Sequence, residues 1–225
     1  MTKKSLFIAV FILLLILTNV FASCAREGAL PLLSIGDKWV TKCITPDSEF
    51  LITTEITGED ITDGIDCYIM KYTFDPPNQG VIDSAIMKYN KADLSLVRME
   101  VSAEVEGEPF KSVFTYTYDI TEPSAFPFTV GKEYKEIQYE TEITTIRGQT
   151  ETKTDTIITI SKIEKMEEIT VAAGTFKCFK ILKYDEQGNL ISTSWHSDKV
   201  KTMSVKTIDA GDGGKEYELI SYSFQ

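Results

Sequence analysis

From Gly36 to the C-terminus, apolar or aromatic residues alternate with polar ones in run after run, and no stretch carries apolar residues at helical spacing. A period of two sends successive side chains to opposite faces, so each run reads as a β-strand with one buried and one wet face. In residues 111–120, Phe114, Tyr116, Tyr118 and Ile120 share a face opposite Val113, Thr115 and Thr117. In residues 95–105, Val97, Met99, Val101, Ala103 and Val105 stand opposite Arg98, Glu100, Ser102 and Glu104. Asp63-Gly64, Glu106-Gly107, Arg147-Gly148, Gln187-Gly188-Asn189 and Asp212-Gly213-Gly214 each separate two such runs. Glycine and its polar neighbour tolerate the positive φ of tight hairpin turns, so the runs pair with their neighbours in sequence. The fold class that follows is all-β: a long antiparallel meander curling into a half-barrel or two packed sheets.

Thirteen strands are expected, over 37–44, 49–58, 65–74, 82–90, 94–105, 109–120, 132–146, 150–164, 167–172, 176–185, 189–197, 201–208 and 215–224. Ser34-Ile35-Gly36-Asp37-Lys38-Trp39 and Thr129-Val130-Gly131-Lys132-Glu133-Tyr134 share a hydroxyl, a β-branched residue, a glycine, two charged residues and an aromatic. Glu122-Pro123-Ser124-Ala125-Phe126-Pro127 lies between them as the best break in the chain. The β domain is therefore 36–225, divided into two similar halves, 36–126 and 129–225, if the echo is a repeat rather than chance.

The N-terminus is of another kind. Lys3 and Lys4 precede an almost unbroken apolar run over 6–17, and Phe21-Ala22-Ser23-Cys24 closes the segment with small residues before a cysteine. This is the pattern of a secretory signal peptide, assigned to 1–23. The run is short for a bilayer span of ~20 residues, although 18–21 could extend it into a retained anchor. The last four residues resemble the lipobox of bacterial lipoproteins, with phenylalanine where such boxes usually carry leucine. The resemblance implies lipidation of Cys24, a short linker over 24–35, and a location at the outer face of the cytoplasmic membrane or another envelope membrane. Cleavage after Ala22 or Ala25 instead would make the protein secreted.

The whole chain carries a formal charge of −11, and beyond residue 23 it holds 21 basic against 34 acidic side chains, or −13. That surface repels nucleic-acid phosphates and anionic lipid head groups, so no nucleic-acid partner is expected. With Cys24 lipidated, Cys43, Cys67 and Cys178 form an odd set, and at least one thiol stays unpaired. In a plain meander Cys43 and Cys67 sit about 25 Å apart, too far for a disulfide. Free, buried cysteines acting as small hydrophobes are the expectation.

Val171-Ala172-Ala173-Gly174-Thr175-Phe176-Lys177-Cys178-Phe179-Lys180-Ile181, with Trp195 downstream, resembles the signature of the TapB-like group of exported β-rich proteins, a family without an assigned activity. The matching positions are Gly174, Thr175, Phe176, Cys178 and Trp195. Where the resemblance calls for an aromatic after the tryptophan and then a glycine, this chain has His196 and Asp198-Lys199-Val200. Locally the stretch is strand, tight turn and strand, with Phe176 and Cys178 on one face and Phe179 and Ile181 on the other. A lipid-anchored antiparallel meander is also similar to the half-barrel carriers that shield lipoprotein acyl chains, an analogy of fold only.

Catalytic motifs are missing from the sequence. His196 is the sole histidine, no glycine-flanked nucleophile or phosphate-binding loop occurs, and the acidic loop over 209–214 lacks the ligand spacing of a calcium-binding hand. A Cys178–His196 pair has no orienting third group. The expectation is a protein that is not an enzyme and carries no cofactor or metal. Its expected role is binding or carrying an apolar ligand or an envelope partner, with Phe114, Tyr116, Tyr118, Tyr134 and Tyr139 as ligand-facing aromatics. A surface or assembly protein without a cavity is the alternative, and a hydrolase the distant one.

Overall fold

The computed structural model describes residues 31–78, 82–105, 108–118, 128–201, 204–211 and 214–225. The expected signal peptide, Cys24, the break over 122–127, and the Glu106-Gly107 and Asp212-Gly213 turns lie outside these residues. Among the described residues twelve strands follow one another: β1 (Lys38–Ile44), β2 (Glu49–Thr62), β3 (Ile65–Asn78), β4 (Ile82–Asn90), β5 (Leu96–Val105), β6 (Glu108–Tyr118), β7 (Glu133–Ile146), β8 (Gln149–Val171), β9 (Gly174–Asp185), β10 (Leu190–His196), β11 (Ser204–Asp209) and β12 (Glu216–Ser223). A 3-10 turn, Asp198–Val200, joins β10 to β11.

Each strand pairs antiparallel with the next, and β12 returns to β1, from Lys38 opposite Ser223 to Ile44 opposite Glu216. The result is a closed barrel, which corrects the expected half-barrel or pair of sheets. Closure satisfies the backbone groups that open edge strands would leave to solvent or to aggregation. The tight turns are as expected: Asp63 and Gly64 link Thr62 to its partner Ile65, and Arg147 and Gly148 link Ile146 to Gln149, all four turn residues at positive φ.

Two expected strands, 150–164 and 167–172, are one. β8 runs unbroken from Gln149 to Val171, with a bulge between Ile163 and Lys165. A bulge inserts one residue and reverses the inside/outside phase, which in a sequence looks like the end of one strand and the start of another. β2 has the same device between Ile56 and Gly58.

The bulges belong to a shared motif. Gly36 N donates to Ile56 O at 2.8 Å and Ile56 N to Asp37 O at 2.9 Å; Gly131 N donates to Ile163 O at 2.8 Å and Ile163 N to Lys132 O at 2.9 Å. The opening turns of β1–β2 and β7–β8 are thus built alike, on glycines at φ +94° and +86°.

Register carries one face continuously around the barrel. In β2–β5 it presents Ile52, Ile56, Met70, Tyr72, Met87 and Met99, all buried in the main apolar cluster. Each such side chain contributes about 1.5–3 kcal/mol by leaving water. In β7–β11 the same face presents Gln138, Glu140, Thr159, Ser161, Ser194 and His196, also buried. The inner wall is therefore apolar on one side and polar on the other.

Candidate functional site

The polar side is best defined where β6 meets β7. Phe114 pairs with Glu142, Tyr116 with Glu140, and Tyr118 with Gln138, so alternation places all six side chains on the inner face. The Phe114 and Tyr116 rings stack, centroids 6.5 Å apart and planes 14° from parallel. Glu142 is anchored: the Ser112 and Thr144 hydroxyls lie 3.0 and 2.8 Å from its Oε1 and donate to it.

Beside that anchored carboxylate the hydrogen bonding is incomplete. Tyr116 is 4% exposed and Gln138 and Glu140 5% each. Tyr116 Oη, Gln138 Nε2 and Glu140 Oε2 nevertheless have no hydrogen-bond partner. The Tyr116 phenol faces the Glu140 carboxyl without reaching hydrogen-bond geometry, so its attraction offsets little. Burial first, and then the like charges of Glu142 and Asp155, push the Glu140 carboxyl up to about 7. A buried polar atom without a partner costs about 1–3 kcal/mol, and three on neighbouring inner positions mark a place where the chain's own hydrogen bonding is incomplete.

Access comes from β8. Residues 149–158 of β8 pair with β7, whereas β9 joins β8 only from Thr159 onward, so the β7–β8 hairpin stands above the neighbouring rim. Lys153 and Asp155, on its inner face, are half-exposed and lie 3.5 Å apart.

Of the aromatics read as ligand-facing, Phe114, Tyr116 and Tyr118 line this wall. Tyr134, opposite Ser161, packs with a second small cluster of Phe128, Ile163 and Ile181. Tyr139 is corrected: it stands on the outward face of β7, 46% exposed. The reason is inverted alternation, because β7 turns Gln138, Glu140 and Thr144 inward and its apolar Tyr139 and Ile143 outward. The sequence signal missed was this polar face. It could be read inward only with the parity of β7 against β6, which the break over 122–127 conceals in the sequence.

The Gly174 motif lies at the tip of the β8–β9 hairpin. Gly174, at φ +131°, ends the β8–β9 hairpin, whose tip crosses to β12, where Ala173 N donates to Leu219 O at 3.2 Å. Phe176 packs on Tyr222 with centroids 6.1 Å apart, and Phe176, Cys178 and Trp195 join the main core, while Phe179 and Ile181 belong to the smaller cluster. The Thr170 and Thr175 hydroxyls, 2.9 Å apart, tie the hairpin across its turn, and Trp195 Nε1 donates to Glu167 Oε1 at 2.8 Å.

Cys43, Cys67 and Cys178 are free and buried. Burial holds the Cys178 thiol at about 12, too high for a nucleophile at neutral pH. His196 pairs with Phe179 and so faces inward, on the side of β9 opposite Cys178. Its Nε2 meets Ser194 Oγ at 2.8 Å, and burial pushes the imidazole down to about 3. These two residues do not form a dyad. Among the described residues no group of three or more His, Cys, Asp or Glu side chains could hold a metal ion.

No family model matches the chain, and no curated protein matches it. The TapB-like resemblance rests on its quoted residues alone. Two solved structures are similar. One, from Bacteroides fragilis, is provisionally described as an exported protein with a YmcC-like fold; it is 12% identical, with 91% of this chain and 99% of that chain covered and a TM-score of 0.38. The other, from Parabacteroides distasonis, is provisionally described as a lipoprotein; it is 14% identical, with 86% and 97% covered and a TM-score of 0.37. Likeness of this degree leaves function to be reasoned from the chain's own residues.

Proposed function

We propose that the protein is exported, held at an envelope membrane through lipidated Cys24, and acts as a non-enzymatic binding module whose ligand seat is the inner wall of β6–β8. One observation carries the reading: Tyr116, Gln138 and Glu140 each keep an unpartnered polar atom while almost wholly buried, beside a wall that opens to solvent at Lys153 and Asp155. The apolar stretches of the inner face are consumed in packing against one another. A ligand is therefore met by polar groups with stacked rings at their back.

The test is native mass spectrometry of protein extracted from its own membrane. The expected spectrum shows an acylated Cys24 and a non-covalent small-molecule adduct that a Tyr116→Phe/Gln138→Ala variant of unchanged thermal stability loses. Equal, adduct-free spectra for both proteins would remove the binding reading, and an unacylated or missing Cys24 the anchor.

A second reading has its own support. Residues 149–158 form a long strand segment with one unpaired edge, a surface to which a strand of an envelope partner can add. Protection of those amides from hydrogen exchange in the native membrane, but not after purification, would favour it.

A further inference from the structure

We propose that the seat on β6–β8 takes a small organic cation of the amino-alcohol class, its ammonium held by Glu140 and its hydroxyl by Tyr116 and Gln138. This rests on the binding reading above and names the ligand. Where β7 pairs with residues 149–162 of β8, the inner faces carry the carboxylates of Glu136, Glu140, Glu142, Glu151 and Asp155 against the ammonium of Lys153. From β6 the titratable groups facing them are the Tyr116 and Tyr118 phenols, both held neutral by burial.

Such a wall repels anions. Water could fill the hydrogen bonds at Tyr116, Gln138 and Glu140, but it cannot answer the excess charge, which a bound cation does. The three unpartnered atoms then divide by chemistry. Glu140 Oε2 accepts and asks for an ammonium; Gln138 Nε2 donates and asks for an oxygen; the Tyr116 hydroxyl can do either. A ligand carrying both an ammonium and a hydroxyl offers a partner to each of the three, whereas a bare amine leaves Gln138 unmet. No trio of metal-ligand side chains is present among the described residues, which turns the charge argument toward an organic cation. The stacked Phe114 and Tyr116 rings add a π surface beside the seat.

The experiment is calorimetric titration of the full mature protein in detergent at pH 6 and pH 8, with ethanolamine, ethylamine, ethylene glycol and phosphorylethanolamine. Alkylammonium groups stay protonated across this range. Because the Glu140 carboxyl titrates at about 7, ethanolamine is expected to bind about tenfold more tightly at pH 8. Ethylamine is expected to bind more weakly and ethylene glycol not measurably. Glu140→Gln, nearly the same shape, should abolish the pH dependence, and Tyr116→Phe should reduce ethanolamine affinity while leaving the pH dependence in place. Phosphorylethanolamine binding as tightly as ethanolamine would point to a lipid head group as the source, and its exclusion to a free amino alcohol. Ethylene glycol matching ethanolamine, or a Glu140→Gln variant binding like the parent, would overturn the cation assignment and leave the seat standing. No heat from any probe, with an adduct still seen in native spectra, would also overturn the assignment alone; absence of both would take the binding reading with it.

Discussion

The Lys201 ammonium lies 2.5 Å from the Asp37 carboxylate, a contact between residues 164 positions apart. Asp37 is fully buried, and it also accepts from Ser34 N at 2.7 Å and Gln225 N at 3.0 Å. One side chain thus ties the turn before β1, the 3-10 connection after β10 and the C-terminus. Asp37→Ala leaves two backbone donors and a partly buried ammonium without their acceptor. The expected loss is about 3–5 kcal/mol of unfolding free energy, measured by denaturant titration.

Gly36 and Gly131 hold equivalent turns in unequal surroundings. A Cβ at Gly131 meets nothing within 4 Å, so Gly131→Ala should cost only the left-handed backbone, about 1 kcal/mol. At Gly36 the same Cβ would come 2.9 Å from Gln225 Cγ, whose backbone Asp37 fixes. Gly36→Ala should therefore cost more, about 2 kcal/mol, in paired thermal melts.

Glu140 makes a pH signature. Folded, it keeps its proton to about pH 7; unfolded, it releases it near the usual 4.5. Between those values the folded state binds more protons, so this residue's contribution to stability falls as pH rises, and the loss is complete above pH 7. Solvent reaching the rim at Asp155 reduces the full effect. Glu140→Gln should gain about 1–2 kcal/mol over the parent at pH 8 and nothing at pH 4, in unfolding curves at both values.

His196 acts in the opposite sense. Its imidazole is held down to about 3 by burial, against 6.5 when unfolded. The unfolded chain takes up the proton first, so stability falls as pH drops from 6.5 toward 3. His196→Gln should show a smaller loss between pH 6.5 and pH 4.5 than the parent, by about 2–3 kcal/mol.

The meander, its tight turns and the aromatic stripe of β6 were legible because each is local: alternation sets faces, and Asp-Gly or Arg-Gly sets the hairpin. Closure was not, since the pairing of β12 with β1 joins the ends of the domain and leaves no local mark. The bulge after Ile163 hid the length of β8, as it reverses the pattern that defines a strand. The candidate site was half visible. Alternation singles out Phe114 and Tyr116, but nothing in the sequence marks Glu140 and Gln138, because a polar inner face and a solvated outer one look the same until strand parity is known. The Gly174 motif, prominent in the sequence, packs the β8–β9 hairpin against β12.

The most direct measurement is a crystal structure of the protein purified from its native cells, with attention to the surroundings of Tyr116, Gln138 and Glu140. A bound organic molecule is expected within hydrogen-bond distance of Glu140 Oε2 and Gln138 Nε2. Those atoms closed onto one another, or bridged by ordinary water alone, would contradict it.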